Sequence, residues 1–130
     1  MGSYQAKSMV AASGYSAIEA MRLVDGVLAN YIHSLGPADD AGWEDAQAMV
    51  QHMRDARTSL TQAAELSGTG DYFLAAARLR SCLMSLETVL EWLDAWAESE
   101  YKTQLTTART LIDSAYAEID LVLMQYPSGS

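Results

Sequence analysis

The sequence predicts an all-α protein, an antiparallel up-down four-helix bundle with an N-terminal arm. Three observations carry this prediction. Apolar residues recur every three and four positions through Leu79, Leu83, Leu86, Leu90, Leu93 and Ala97, which places one side chain per turn on a single helical face. A second series runs Tyr101, Leu105, Ala108, Ile112, Ala115, Ile119, Val122, Tyr126. Half of the 130 residues are hydrophobic, only two are proline, and Val/Ile-rich alternating runs are missing. Such a chain is long enough for one domain to bury about two thirds of its unfolded surface.

The first helix is expected from about Ser16 to Leu35, with Met21, Val24, Leu28, Tyr31 and Leu35 in register. Gly36-Pro37 stops it, because glycine accepts the left-handed conformation and proline cannot continue the ladder. Asp39 and Asp40 supply a cap and favourable dipole charge to a second helix ending near Ser67. Its inner face, Met49, Met53, Ala56, Leu60 and Ala63, is small and methionine-rich. Gly68-Thr69-Gly70-Asp71 is a turn, with Asp71 or Thr69 capping a third helix from Tyr72 to about Ala97.

No glycine or proline separates the third helix from the fourth. An unbroken helix from Tyr72 to Tyr126 would be roughly 80 Å long, too long for a compact domain of this size. A tight break is therefore placed near Ser99, and Pro127 ends the fourth helix. Short connections make the neighbours antiparallel. Tyr4 to Tyr15 is read as an arm that packs on the bundle through Tyr4, Met9, Val10 and Tyr15. The domain spans residues 4–127, and Met1-Gly2-Ser3 and Ser128-Gly129-Ser130 read as additions to it.

Seventeen acidic and eight basic residues give a formal charge of −9. That surface repels phosphate backbones, which argues against nucleic acid as a partner. Cys82 is the only cysteine, so no intrachain disulfide forms, and its place between Leu79 and Leu86 marks it as a small buried apolar residue. No uncharged stretch approaches the ~20 residues a bilayer span needs. No basic segment leads into an apolar one as a secretory signal would. The expectation is a soluble cytoplasmic protein that does not engage a membrane.

Catalytic and cofactor chemistry finds little support. His33 and His52 are the only histidines, and neither closes the Glu-x-x-His pair of a di-iron bundle. His33-Ser34-Leu35-Gly36 lacks the lysine of a phosphotransfer helix and ends at Gly36-Pro37. None of the arginines has a histidine at the spacing of a HEPN-type nuclease. Tyr116–Asp120 and Tyr15–Glu19 fit a Tyr-x-x-x-acid secretion tag but lack its companion Trp-x-Gly hairpin. No nucleophile signature or phosphate loop occurs. The reading is a non-enzymatic protein with no metal and no cofactor.

What remains is surplus apolar surface. Val89, Trp92 and Trp96 form a second stripe beside the leucines, and Leu121-Val122-Leu123-Met124 is apolar on all sides. Either the third and fourth helices are buried on two faces, or the excess forms a groove for a partner's amphipathic helix. The candidate partner-binding residues are Val89, Trp92, Trp96, Leu121, Met124 and, from the arm, Tyr4. Two further readings are open. One is a small acidic inhibitor or immunity-type protein that blocks a basic site on another protein. The other is a self-associating domain with Trp92, Trp96 and residues 121–124 as a homodimer face.

Tyr4-Gln5, Met9, Ala11-Ala12-Ser13-Gly14 and Leu23-Val24-Asp25-Gly26 resemble the opening of the flagellin-specific export chaperones, the FliS family. That family begins Tyr-Gln, continues through Val…Thr-Ala-Ser-Pro, and closes an apolar stretch in Tyr-Asp-Gly. Asp45-Ala46-Gln47-Ala48-Met49-Val50-Gln51-His52-Met53 is similar to the Lys-Ala-Gln-x-Ile-Ile-x-Glu-Leu of its second helix. Gly14 stands in place of the family's proline and Ala11 in place of its threonine. The spacing from Ser13 to Asp25 is two residues longer, and the later Tyr-Asp-Tyr-Met and closing Ala-Trp are not recognisable. The resemblance implies a chaperone that folds the disordered C-terminal region of flagellin into helices along apolar grooves, with the arm from Tyr4 covering part of the empty groove.

Overall fold

The computed structural model describes residues 3–125. Four helices follow one another, α1 (Ser3–Ser34), α2 (Asp40–Gly68), α3 (Tyr72–Trp96) and α4 (Ser99–Gln125). They pack antiparallel as an all-α bundle, and there are no strands among the described residues. Tyr126 and Pro127, expected to close the fourth helix, lie outside the described residues. No described helix is long and apolar enough to cross a membrane.

The leucine series is the interior. Leu79, Leu83, Leu86, Leu90 and Leu93 are all buried, as are Leu105, Ala108, Ile112, Ala115, Ile119 and Val122 from α4. α1 and α3 each pack on all three other helices. α2 lies along α3 and α1 along α4, while α2 and α4 do not meet. Consequently α1 and α2 diverge although they are consecutive. The links α1–α2 and α3–α4 lie at one end of the bundle, called the upper end. The α2–α3 turn, the start of α1 and the end of α4 lie at the lower end.

The expected N-terminal arm is not a separate element, because residues 3–15 form the first turns of a 32-residue α1. The physical reason is a helical face built from small side chains. Ala6, Val10, Ser13, Ala17 and Ala20 repeat at helical spacing and are buried. With Ala108 and Ala115 opposite, they let α1 approach α4 closely. At that junction the Ser13 hydroxyl donates to Met9 O at 2.8 Å and lies 3.4 Å from Ala115 O. The segment does pack on the bundle, through Met9 and Val10 as expected and also through Ala6. Tyr4 and Tyr15, expected to pack, point outward.

The links follow the local chemistry of the sequence. Asp39 Oδ1 accepts from Gly42 N at 2.9 Å, capping α2. Trp43 Nε1 donates to Gly36 O at 2.9 Å, tying the start of α2 back to the link. Between α2 and α3, Gly70 has φ +83°, a left-handed conformation that favours glycine. Asp71 Oδ1 accepts from Leu74 N, so Asp71 rather than Thr69 caps α3. The α3–α4 break falls at Ala97, which turns extended at ψ 138°. Lys102 Nζ closes this link by donating to Asp94 O at 2.6 Å.

A candidate helix-binding groove

Because α1 leans on α4 and the lower half of α2 leans on α3, the two diverging helices leave an apolar groove of about 300 Å³. Val10, Ala11, Gly14, Tyr15 and Ile18 form the α1 wall, and Leu60, Ala63, Ala64 and Ser67 the α2 wall. Leu79 of α3 is the floor. Small residues make the depth: a Cβ added at Gly14 would meet nothing within 4 Å. Tyr15 and Ile18 stand at the rim, 73% and 37% exposed. None of these lining residues is charged. The groove offers dispersion contacts and burial, with two hydroxyls for orientation, over about two turns (~12 Å) of helix.

The residues singled out from sequence do not share one face. Val89 is fully buried and belongs to the core, not to a surface stripe. Trp96 is half-buried, packed edge-on against Tyr31 at 5.1 Å between ring centroids and stacked on Tyr101 at 5.5 Å. It closes the upper end of the bundle. Trp92 is 40% exposed, with the His52 ring of α2 at 6.1 Å. Leu121, Met124 and Tyr4 are exposed at the lower end, separated from Trp92 by ~27 Å of helix rise. The six residues are therefore split between the two ends, and none of them lines the groove.

The groove residues were missed because α1 was expected to start at Ser16. The signal was nonetheless present: Tyr4, Ala11, Tyr15 and Ile18 recur at heptad-like spacing on the outer side of α1.

Charge is distributed unevenly. Asp39, Asp40, Glu44 and Asp45 lie about the α1–α2 link, and Glu91, Asp94, Glu98 and Glu100 about the α3–α4 link. Lys102 is the one basic residue among them, so the upper end carries most of the −9 charge. Around the groove, charges are balanced. Arg57 pairs with Asp25 and Arg22 with Glu19.

No group of three His, Cys, Asp or Glu residues suited to a metal occurs among the described residues. Burial pushes the Cys82 thiol up to about 12, which keeps it protonated. Tyr116 is also pushed up to about 12, chiefly by burial and then by Glu87, with the Arg80 guanidinium over its ring acting the other way.

No protein-family model, no curated protein and no solved structure matches the chain.

Proposed function

We propose that this protein is a non-enzymatic, cytoplasmic binding module, an export chaperone or adaptor, which holds an amphipathic helical segment of another protein in the groove between α1 and α2. The supporting observation is the groove itself: uncharged, lined by small side chains, rimmed by Tyr15 and Ile18, and two turns long. A helix presenting large apolar residues at i, i+3 or i+4, and i+7 fills such a cleft. The buried thiol of Cys82 fits a reducing compartment. In its narrowest form the partner is the helical tail of flagellin.

Titration with amphipathic helical peptides, a flagellin C-terminal segment among them, tests this reading. Ala11→Glu and Ala64→Glu introduce charge at exposed groove positions without entering the core. Each should abolish binding while far-ultraviolet circular dichroism stays unchanged. Binding that survives both substitutions, or no binding by any such peptide, refutes the groove as the site.

The charge-polarised upper end supports a second reading, an acidic inhibitor of a basic site. Its affinity would fall steeply with added salt, whereas burial in an uncharged groove would not.

A further inference from the structure

We infer that a second copy of this chain docks on the groove, forming a two-fold homodimer through the outer faces of the two α1 helices. This interface is distinct from the Trp92, Trp96 and 121–124 face expected from sequence, and the inference does not depend on a foreign partner. Three observations converge on it.

The first is self-complementarity along one helix face. A C2 interface sets the same patch of each copy against the other. Two antiparallel α1 helices related by an axis at Ser13 oppose Tyr15 to Ala11 of the second copy, a large exposed ring over a small residue of the groove wall. The same register opposes Lys7 to Glu19 and Tyr4 to Arg22. Within one copy Arg22 pairs with Glu19 at 2.9 Å, so in this register Lys7 of the second copy joins a carboxylate that already holds one cation, and the guanidinium faces the Tyr4 ring. All six side chains are exposed in the single chain.

The second is where the charge lies. At −9 per copy, self-association is opposed over most of the surface. The α1 face and groove walls are the balanced exception. Antiparallel docking about Ser13 also sends the two acidic upper ends to opposite extremes of the dimer, where they repel least.

The third is the unpartnered apolar rim. Tyr4 and Tyr15 are 82% and 73% exposed on one line of α1, with Ile18 beside them. A strip from Tyr4 to Arg22 is ~27 Å long and one helix (~10 Å) wide. That is smaller than the roughly 800 Å² per partner of a standard interface, so the dimer is weak and reversible.

Sedimentation equilibrium of the whole chain over a range of concentrations tests the inference. The expected result is a reversible transition from 14.1 kDa to twice that mass. Lys7→Glu and Glu19→Lys should each raise the midpoint concentration on the order of tenfold. The K7E/E19K double variant should restore it, since the opposed pair is re-formed with its signs exchanged. Tyr15→Asp should leave only monomer, with unchanged circular dichroism showing that the bundle remains folded. A chain that stays monomeric to about 1 mM, or a dimer indifferent to Y15D and to the charge exchange, overturns the inference. A monomer that still takes up a helical peptide would overturn the dimer alone. A dimer that takes up none would leave the dimer standing and remove the proposed function.

Discussion

Arg57 Nη2 lies 2.7 Å from both carboxylate oxygens of Asp25, and this is the one ion pair joining α1 to α2 among the described residues. Asp25 is two turns above Ile18 and Arg57 one turn above Leu60, so the pair straps the diverging helices just above the groove. Both side chains are partly exposed, 49% and 37%, which limits what the pair adds to stability. Its importance is geometric.

Arg57→Ala should therefore cost less than about 1 kcal/mol in urea unfolding. The same variant should speed amide hydrogen exchange in α1 residues 10–18 and in the end of α2, since the strap no longer limits how far the walls part. Unchanged exchange there would show that packing on α3 and α4 alone sets the groove width.

Three glycines of the helices should respond oppositely to alanine. A Cβ at Gly42 would fall 2.5 Å from Leu35 Cδ2 and 2.6 Å from Asp39 Oδ2. Gly42→Ala displaces the capping carboxylate and should destabilise by about 1–2 kcal/mol. Gly14 and Gly26 have open space where a Cβ would go, so alanine there should stabilise by roughly 0.5–1 kcal/mol. Chemical denaturation of the three variants checks the signs. Gly14→Ala should also weaken peptide binding, because its methyl group narrows the groove.

Cys82 should be inert in the folded protein. It is fully buried and its thiol is pushed up to about 12, so almost no thiolate is present near neutral pH. A thiol-specific reagent should label it only as the protein unfolds, with the labelling curve coincident with loss of helicity. Rapid labelling without denaturant would contradict the buried position.

Stability should decline in alkali. Cys82 and Tyr116 have ordinary values of 9.0 and 10.0, and the fold raises both to about 12. The folded chain thus holds these protons more tightly than the unfolded chain. The associated stability is complete below the ordinary values and is lost as pH climbs from about 9 toward 12. Urea midpoints measured at pH 8 and about pH 11 should show the fall. Tyr116→Phe should make the decline shallower.

The leucine and Ile/Ala seams of α3 and α4 were legible because large apolar side chains at regular spacing dictate which face turns inward. The α3–α4 break was legible from length and from Ser99 with its acidic neighbours, which suit the start of a helix, since Ala97 itself carries no turn chemistry. The start of α1 was legible only in the outward spacing of Tyr4, Ala11, Tyr15 and Ile18, not in its buried face. Ala6, Ser13 and Ala17 have too little apolar surface to announce a buried face, and their burial follows from the close approach of α4. The stripe through Val89, Trp92 and Trp96 shows what spacing leaves open. It places residues on one side of a helix, but α3 packs on three neighbours, and these decide which of them see solvent. The groove depends on the divergence of α1 and α2, a tertiary relationship between two segments that are each unexceptional.

The crowding of carboxylates about Asp39–Asp45 and Glu91–Glu100 gives the molecule a strong electric dipole along its length. Near a cationic bead or an amine-coated sensor chip, such a body rotates before it lands and adsorbs by its acidic tip. Immobilisation by charge thus arranges the molecules upright, with Tyr15 and the cleft beside it standing clear of the support, and a salt wash releases them.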